Sequence, residues 1–128
     1  HLGKRNPAYC TSSGKVLLAY SEEEVIKQVI ENGLHPYAKN TITDPGKLWS
    51  ILKKIRKQGY ALSKDELLEG VTSIAAPVRD YTGQVVAAIT ITGPNQRITE
   101  HKIPIYAKKV IDAGKEASSR LGYHNRFR

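Results

Sequence analysis

The segment Thr11-Ser12-Ser13-Gly14-Lys15 sets small residues and free backbone N–H groups at the start of an apolar helical run, which suits an anion such as a carboxylate. Ordinary N-capping accounts for the same residues without a ligand. Lys15 has the charge to neutralise a bound anion, yet a lysine one turn into a helix more commonly points into water. A second candidate lies between Gly70 and Gly93, where two β-branched runs, 71–78 and 85–92, are joined by the turn residues Asp80-Tyr81-Thr82-Gly83. Side chains alternate along a strand, so one face takes Ile74, Ala76, Val78, Val85, Ala87, Ile89 and Ile91, an ordinary core face. The other takes Val71, Ser73, Ala75, Val86, Ala88, Thr90 and Thr92. Small residues punctuated by hydroxyls suit the floor of a small polar cavity, although a solvent-washed antiparallel sheet carries the same pattern.

The other reactive side chains form looser constellations. Cys10 with His35 or His101 would make a thiol–imidazole pair, but no spacing brings them together and no third orienting group follows. Asp65, Glu66 and Glu69 cluster closely enough for acid–base work or cation binding, while the segment 64–69 reads as a turn in which carboxylates are normally solvated. A small cytoplasmic hydrolase using Cys10 or these acids is therefore the alternative function. The four histidines and one cysteine show no metal-ligand spacing of the CxxC or HxxxH kind, and neither metal nor cofactor is expected.

The elements that would hold these residues are legible from periodicity. Thr11, Ser12 and Ser13 cap a short helix through Val16 to Tyr20. Ser21 and Glu24 form a capping box for a second helix, striped by Val25, Ile26, Val29 and Ile30 and stopped at Gly33. Asp44 and Pro45 start a third, in which Leu48, Ile51, Leu52 and Ile55 repeat at the helical period and Gly59 closes the element. Trp49 neighbours that stripe as a packing residue. A short strand over 60–63, the turn 64–69 and the hairpin follow. A last helix over 103–121 carries Ile103, Tyr106, Val110, Ala113, Ala117 and Leu121 on one stripe and ends at Gly122, with Pro104 tolerable at its start. Residues 1–10 hold no complete strand or helix. Helices flanking a mostly antiparallel sheet place the chain in the α+β class.

With 128 residues the chain is one domain's length, enough to bury about 65–70% of its unfolded surface. A lone cysteine argues for a reducing compartment, with the cytoplasm as the default, and against a disulfide scaffold. No apolar run approaches the roughly 18 residues of a membrane span, and no membrane association is expected. The net charge of +8 invites a nucleic-acid reading. Only Lys47, Lys53, Lys54, Arg56 and Lys57 cluster, on the third helix, where they read as a solvated face or a phosphate-binding surface.

Taken in order, Thr11 to Lys15, Asn40-Thr41-Ile42-Thr43, Arg56 to Ala61, Glu66 to Gly70, Ser73 to Asp80 and Ile91-Thr92-Gly93-Pro94 resemble the C-terminal effector-binding domain of IclR-type bacterial transcription regulators. The resemblance covers nearly the whole chain. It implies a GAF- or profilin-like α+β domain, residues 1–128, that binds a small organic acid and turns nothing over. DNA would be read only by an N-terminal winged helix-turn-helix domain absent from this chain, and the assembly would be a homodimer or homotetramer. By position, the ligand contacts implied are the amides of Ser12 and Ser13, then Ser63, Val71, Ser73, Thr90 and Thr92. Ser63 stands where some members responding to short oxo-acids carry an acidic residue, so a sugar acid or aromatic acid is as compatible as glyoxylate or pyruvate.

Overall fold

A computed structural model describes residues 7–124 as a 3₁₀ turn, four α-helices and one three-stranded antiparallel sheet, the expected α+β arrangement. Ala8–Cys10 forms the 3₁₀ turn, within a stretch where no complete helix or strand is expected, and positions 1–6 lie outside the described residues. Helix α1 spans Ser12–Ala19, α2 Glu23–Glu31, α3 Pro45–Gln58 and α4 Ile103–Arg120. The strands are β1 (Ala61–Lys64), β2 (Val71–Arg79) and β3 (Val85–Pro94), in the order β1-β2-β3.

Local chemistry explains most of these boundaries. Asp44 accepts from the Lys47 amide, Pro45 opens α3, and Gly59 ends it at φ 87°, a left-handed conformation that glycine adopts without a Cβ penalty. The capping box expected at Ser21 does not form. Its hydroxyl instead donates to the Leu17 carbonyl at 2.6 Å, finishing α1, and α2 starts after Glu22.

The two faces of the sheet pack differently. Ile74, Ala76, Ile89 and Ile91 meet α4 through Ala107 and Val110, together with Ile98. Ala61, Ala75, Val85 and Ala88 belong to the other core, with α1, α3, Tyr9 and Cys10, against which Trp49 also packs. Val85 thus lies on the face opposite the one expected. A bulge between Val78 and Arg79 pairs Ala87 with Val78 and Val85 with Arg79, and the inserted Val86 turns outward. Ala87, also assigned to the core, is exposed on the edge strand β3.

Helix α4 is rotated relative to the expected stripe. Ala107, Val110, Gly114 and Ser118 are its buried residues, whereas Leu121 is exposed. Small residues face β2 because the helix sits close: a Cβ on Gly114 would lie 2.6 Å from the Pro77 carbonyl oxygen. Gly114→Ala must therefore push α4 off the sheet, a strain of roughly 1–3 kcal/mol. Urea denaturation should show a midpoint lowered accordingly, and an unchanged midpoint would mean that the contact yields freely.

Candidate functional site

Antiparallel register brings the hydroxyls of three strands into one row. Ser63 of β1 pairs with Ser73 of β2, and Ser73 pairs with Thr92 of β3. Residues directly opposite point to the same face, so the three side chains lie side by side. The next row, Ala61, Ala75 and Thr90, is small. This floor faces a cavity of about 240 Å³, lined also by Cys10, Thr11, Ser12, Ser13, Leu67, Leu68 and Val71. All seven residues implied by the resemblance, Ser12, Ser13, Ser63, Val71, Ser73, Thr90 and Thr92, stand around this single space.

The N-terminus of α1 supplies its polar end. Thr11 caps the helix by accepting from the Gly14 amide at 3.0 Å, and its carbonyl takes the Lys15 amide. The amides of Ser12 and Ser13 are then first-turn donors without an intrahelical acceptor. No acidic residue occupies that first turn, so the positive end of the helix dipole is uncompensated by its own side chains. Ser12 is buried, and its hydroxyl has no hydrogen-bond partner among the described residues. A buried hydroxyl left unmet costs about 1–3 kcal/mol, so an acceptor or donor brought by a ligand would be welcome there. Ser63, by contrast, donates to the Cys10 carbonyl at 3.3 Å.

Lys15 does not point into water. Its Nζ is buried and donates to the Leu62 carbonyl at 2.6 Å and to Glu66 at 2.8 and 2.9 Å. Burial pushes the ammonium below its ordinary range, opposed by Glu66, and pushes the Glu66 carboxyl up, opposed by Lys15. Committed to each other, neither lines the cavity. An anion there would be met by amides and hydroxyls, with no charged side chain in the lining among the described residues.

Asp65 and Glu66 are drawn into the fold, not solvated as the sequence suggests, whereas Glu69 is exposed. Asp65 is buried at φ 56° and accepts from the Gly70 amide at 2.7 Å and from Asn95 Nδ2 at 3.0 Å. Those bonds, the Asn95 bond foremost, hold its carboxyl below the usual carboxylate range. Glu69 accepts from the Lys39 amide, and Thr41 donates to the Glu66 carbonyl, both at 2.6 Å. The three acids are thus structural anchors that present Leu67 and Leu68 to the cavity. Sequence reasoning missed those two leucines, although an apolar pair inside an acidic turn was the available signal.

The thiol of Cys10 is buried, contacts the Pro7 carbonyl at 3.5 Å, and is pushed by burial up to about 11. It stays protonated at neutral pH and is a poor nucleophile. His35 engages Tyr9 through its backbone, with no bond to Cys10. Among the described residues no group of His, Cys, Asp or Glu could hold a metal ion, and no helix is long and apolar enough to cross a membrane. Lys47, Lys53, Lys54, Arg56 and Lys57 are all exposed along α3.

Comparison with known proteins is consistent with this fold. The family model for the bacterial transcriptional regulator IclR C-terminal domain matches residues 1–119. The HTH-type transcriptional regulator KdgR of Escherichia coli (strain K12) is 36% identical over 125 residues, covering 97% of this chain and 48% of KdgR. The chain thus spans about half the length of that relative. The crystal structure of the C-terminal domain of E. coli KdgR aligns at a TM-score of 0.83 and 36% identity, covering 94% of this chain and 74% of that one. A double mutant of the PobR inducer-binding domain from Acinetobacter, in complex with 3-hydroxybenzoic acid, aligns at 0.81 and 32% identity over 95% of this chain and 69% of that one. These domains share the GAF-like α+β fold.

Proposed function

Because this chain belongs to the IclR-type bacterial transcriptional regulators, to which its sequence matches as a C-terminal domain and whose members are regulators, not enzymes, we propose that it senses a small organic acid in the 240 Å³ cavity. The carboxylate lies on the amides of Ser12 and Ser13, and the other oxygens meet Ser12, Ser73, Thr90 and Thr92. The observation that carries this reading is the buried Ser12 hydroxyl, without a hydrogen-bond partner among the described residues, at a cavity floored by the Ser63–Ser73–Thr92 row. A helix N-terminus opposite hydroxyls from two strands can hold both ends of a small polar acid. The inducer-binding domain of PobR, crystallised with 3-hydroxybenzoic acid, supports the ligand class.

In the whole protein, the effector shifts a conformational equilibrium that an N-terminal winged helix-turn-helix domain reads out on its operator. Residues 1–128 act as a single effector-binding unit in the cytoplasm, paired in a dimer or tetramer whose symmetry suits a palindromic site.

A thermal-shift panel of 3-hydroxybenzoate, pyruvate, glyoxylate and gluconate, each against its amide, tests the assignment. An acid at about 100 times its Kd adds about 2.7 kcal/mol of stability, a rise of several degrees, and its amide should add far less. The acid should be recovered chemically unchanged. Equal shifts from acid and amide, or turnover of the acid, would refute a carboxylate sensor.

A further inference from the structure

A larger cleft, about 560 Å³, lies between the C-terminal half of α4, the end of β2 and the C-terminal ends of α1 and α3, and shares no lining residue with the effector cavity. That volume falls within the range of small-molecule sites. In its lining the guanidinium of the half-buried Arg79 lies 5.0 Å from the ring centroid of Tyr20 and 5.9 Å from that of Tyr123. Its Nη1 donates to the Gly83 carbonyl at 2.7 Å, and its backbone amide is fixed by the Ser118 hydroxyl at 2.8 Å. Aromatic contacts and a backbone tether fix the head group while leaving most of its five donors unused.

Among the described residues no acidic side chain lines the cleft, which also holds Lys115 and His124. The neighbouring acids of α4 are already engaged, Asp112 with Lys108 at 3.0 Å and Glu116 with Arg120 at 3.3 Å. Among the described residues, neither Arg79 nor Lys115 forms a salt bridge. Apolar surface from Pro77, Ala76 and Ile111 completes the walls.

We propose that this cleft is a second ligand site, for a small organic anion whose oxyanion is held by Arg79 and Lys115 and whose carbon skeleton lies against Tyr20, Pro77 and Ile111. A guanidinium fork matches carboxylate and phosphate alike, so the head group is defined as either, on a body with an apolar face. Affinity comes from pre-placed donors, since Arg79 needs no reordering to meet the ligand.

Titration of ¹⁵N-labelled protein with benzoate and with phenyl phosphate tests this and separates the two head groups. Saturable shifts are expected at the amides of Arg79, Lys115, Ser119 and Tyr123 with at least one probe, and the more potent probe identifies the head group. Arg79→Gln should weaken that binding at least about tenfold. Lys115 is exposed, so Lys115→Gln keeps the fold and should weaken it independently. Perturbation confined to Ser12 and Ser73 would place the probe in the effector cavity and overturn the second site. So would the absence of saturation by ~10 mM of both probes, or unchanged affinity in both variants.

Discussion

Lys15→Met is expected to destabilise the domain by about 3–5 kcal/mol, although a single exchange of a solvated lysine would normally cost little. The reason is what the ammonium leaves behind: the Glu66 carboxylate, with a side chain 12% exposed, and the Leu62 carbonyl, which it contacts at 2.6 Å. Burial already outweighs the attraction of Lys15 in setting the Glu66 carboxyl, which is raised even with its partner present. Removing the partner raises it further. The native state then holds the Glu66 proton more tightly than the unfolded chain does, so stability falls as pH rises through the folded value and is regained below it. The deficit of Lys15→Met should therefore shrink on acidification through the carboxylate range. Lys15→Met combined with Glu66→Leu should recover most of the loss, because an apolar pair avoids the desolvation that the ions suffer. Urea denaturation across pH for the three variants checks this. A pH-independent change below about 0.5 kcal/mol in Lys15→Met would mean that the pair is effectively solvated.

Ser73→Ala and Thr92→Val should each weaken binding of the effector by roughly 5- to 150-fold, the equivalent of losing one hydrogen bond, about 1–3 kcal/mol. Each removes a hydroxyl from the Ser63–Ser73–Thr92 row and little else. Thr92 is exposed and Ser73 half-buried, so the folded state should lose much less than the complex does. Calorimetric titration of both variants with the best-binding acid gives the ratio. Unchanged affinity in both would leave the row as ordinary wet sheet.

Much of this site was legible because its parts obey local rules. The Asp44–Pro45 start and Gly59 stop of α3, and the alternation of Ser73, Thr90 and Thr92, depend on neighbours in sequence and on strand geometry. The failures share a different cause. A bulge after Val78 reversed the facing of Val85, because a strand's period of two cannot show where one residue is inserted. Lys15 reads as a surface residue until Glu66 is brought to it across 51 positions. The apolar stripe expected on α4 includes Ala113, Ala117 and Leu121, yet Gly114 and Ser118 are where the helix meets β2. Asp65, Glu66 and Glu69 resembled a reactive cluster because their anchoring partners Asn95, Lys15 and Lys39 come from elsewhere in the chain. Long-range pairing decides all of these, and composition carries none of it.

The most direct test of the sensor assignment is a crystal structure of the domain with the acid that raises its melting temperature most. The carboxylate is predicted within hydrogen-bond distance of the Ser12 and Ser13 amides, with another ligand oxygen on Ser73 or Thr92 and the Ser12 hydroxyl satisfied. An acid bound only beside Arg79, or anywhere else that leaves the α1 N-terminus unoccupied, would contradict it.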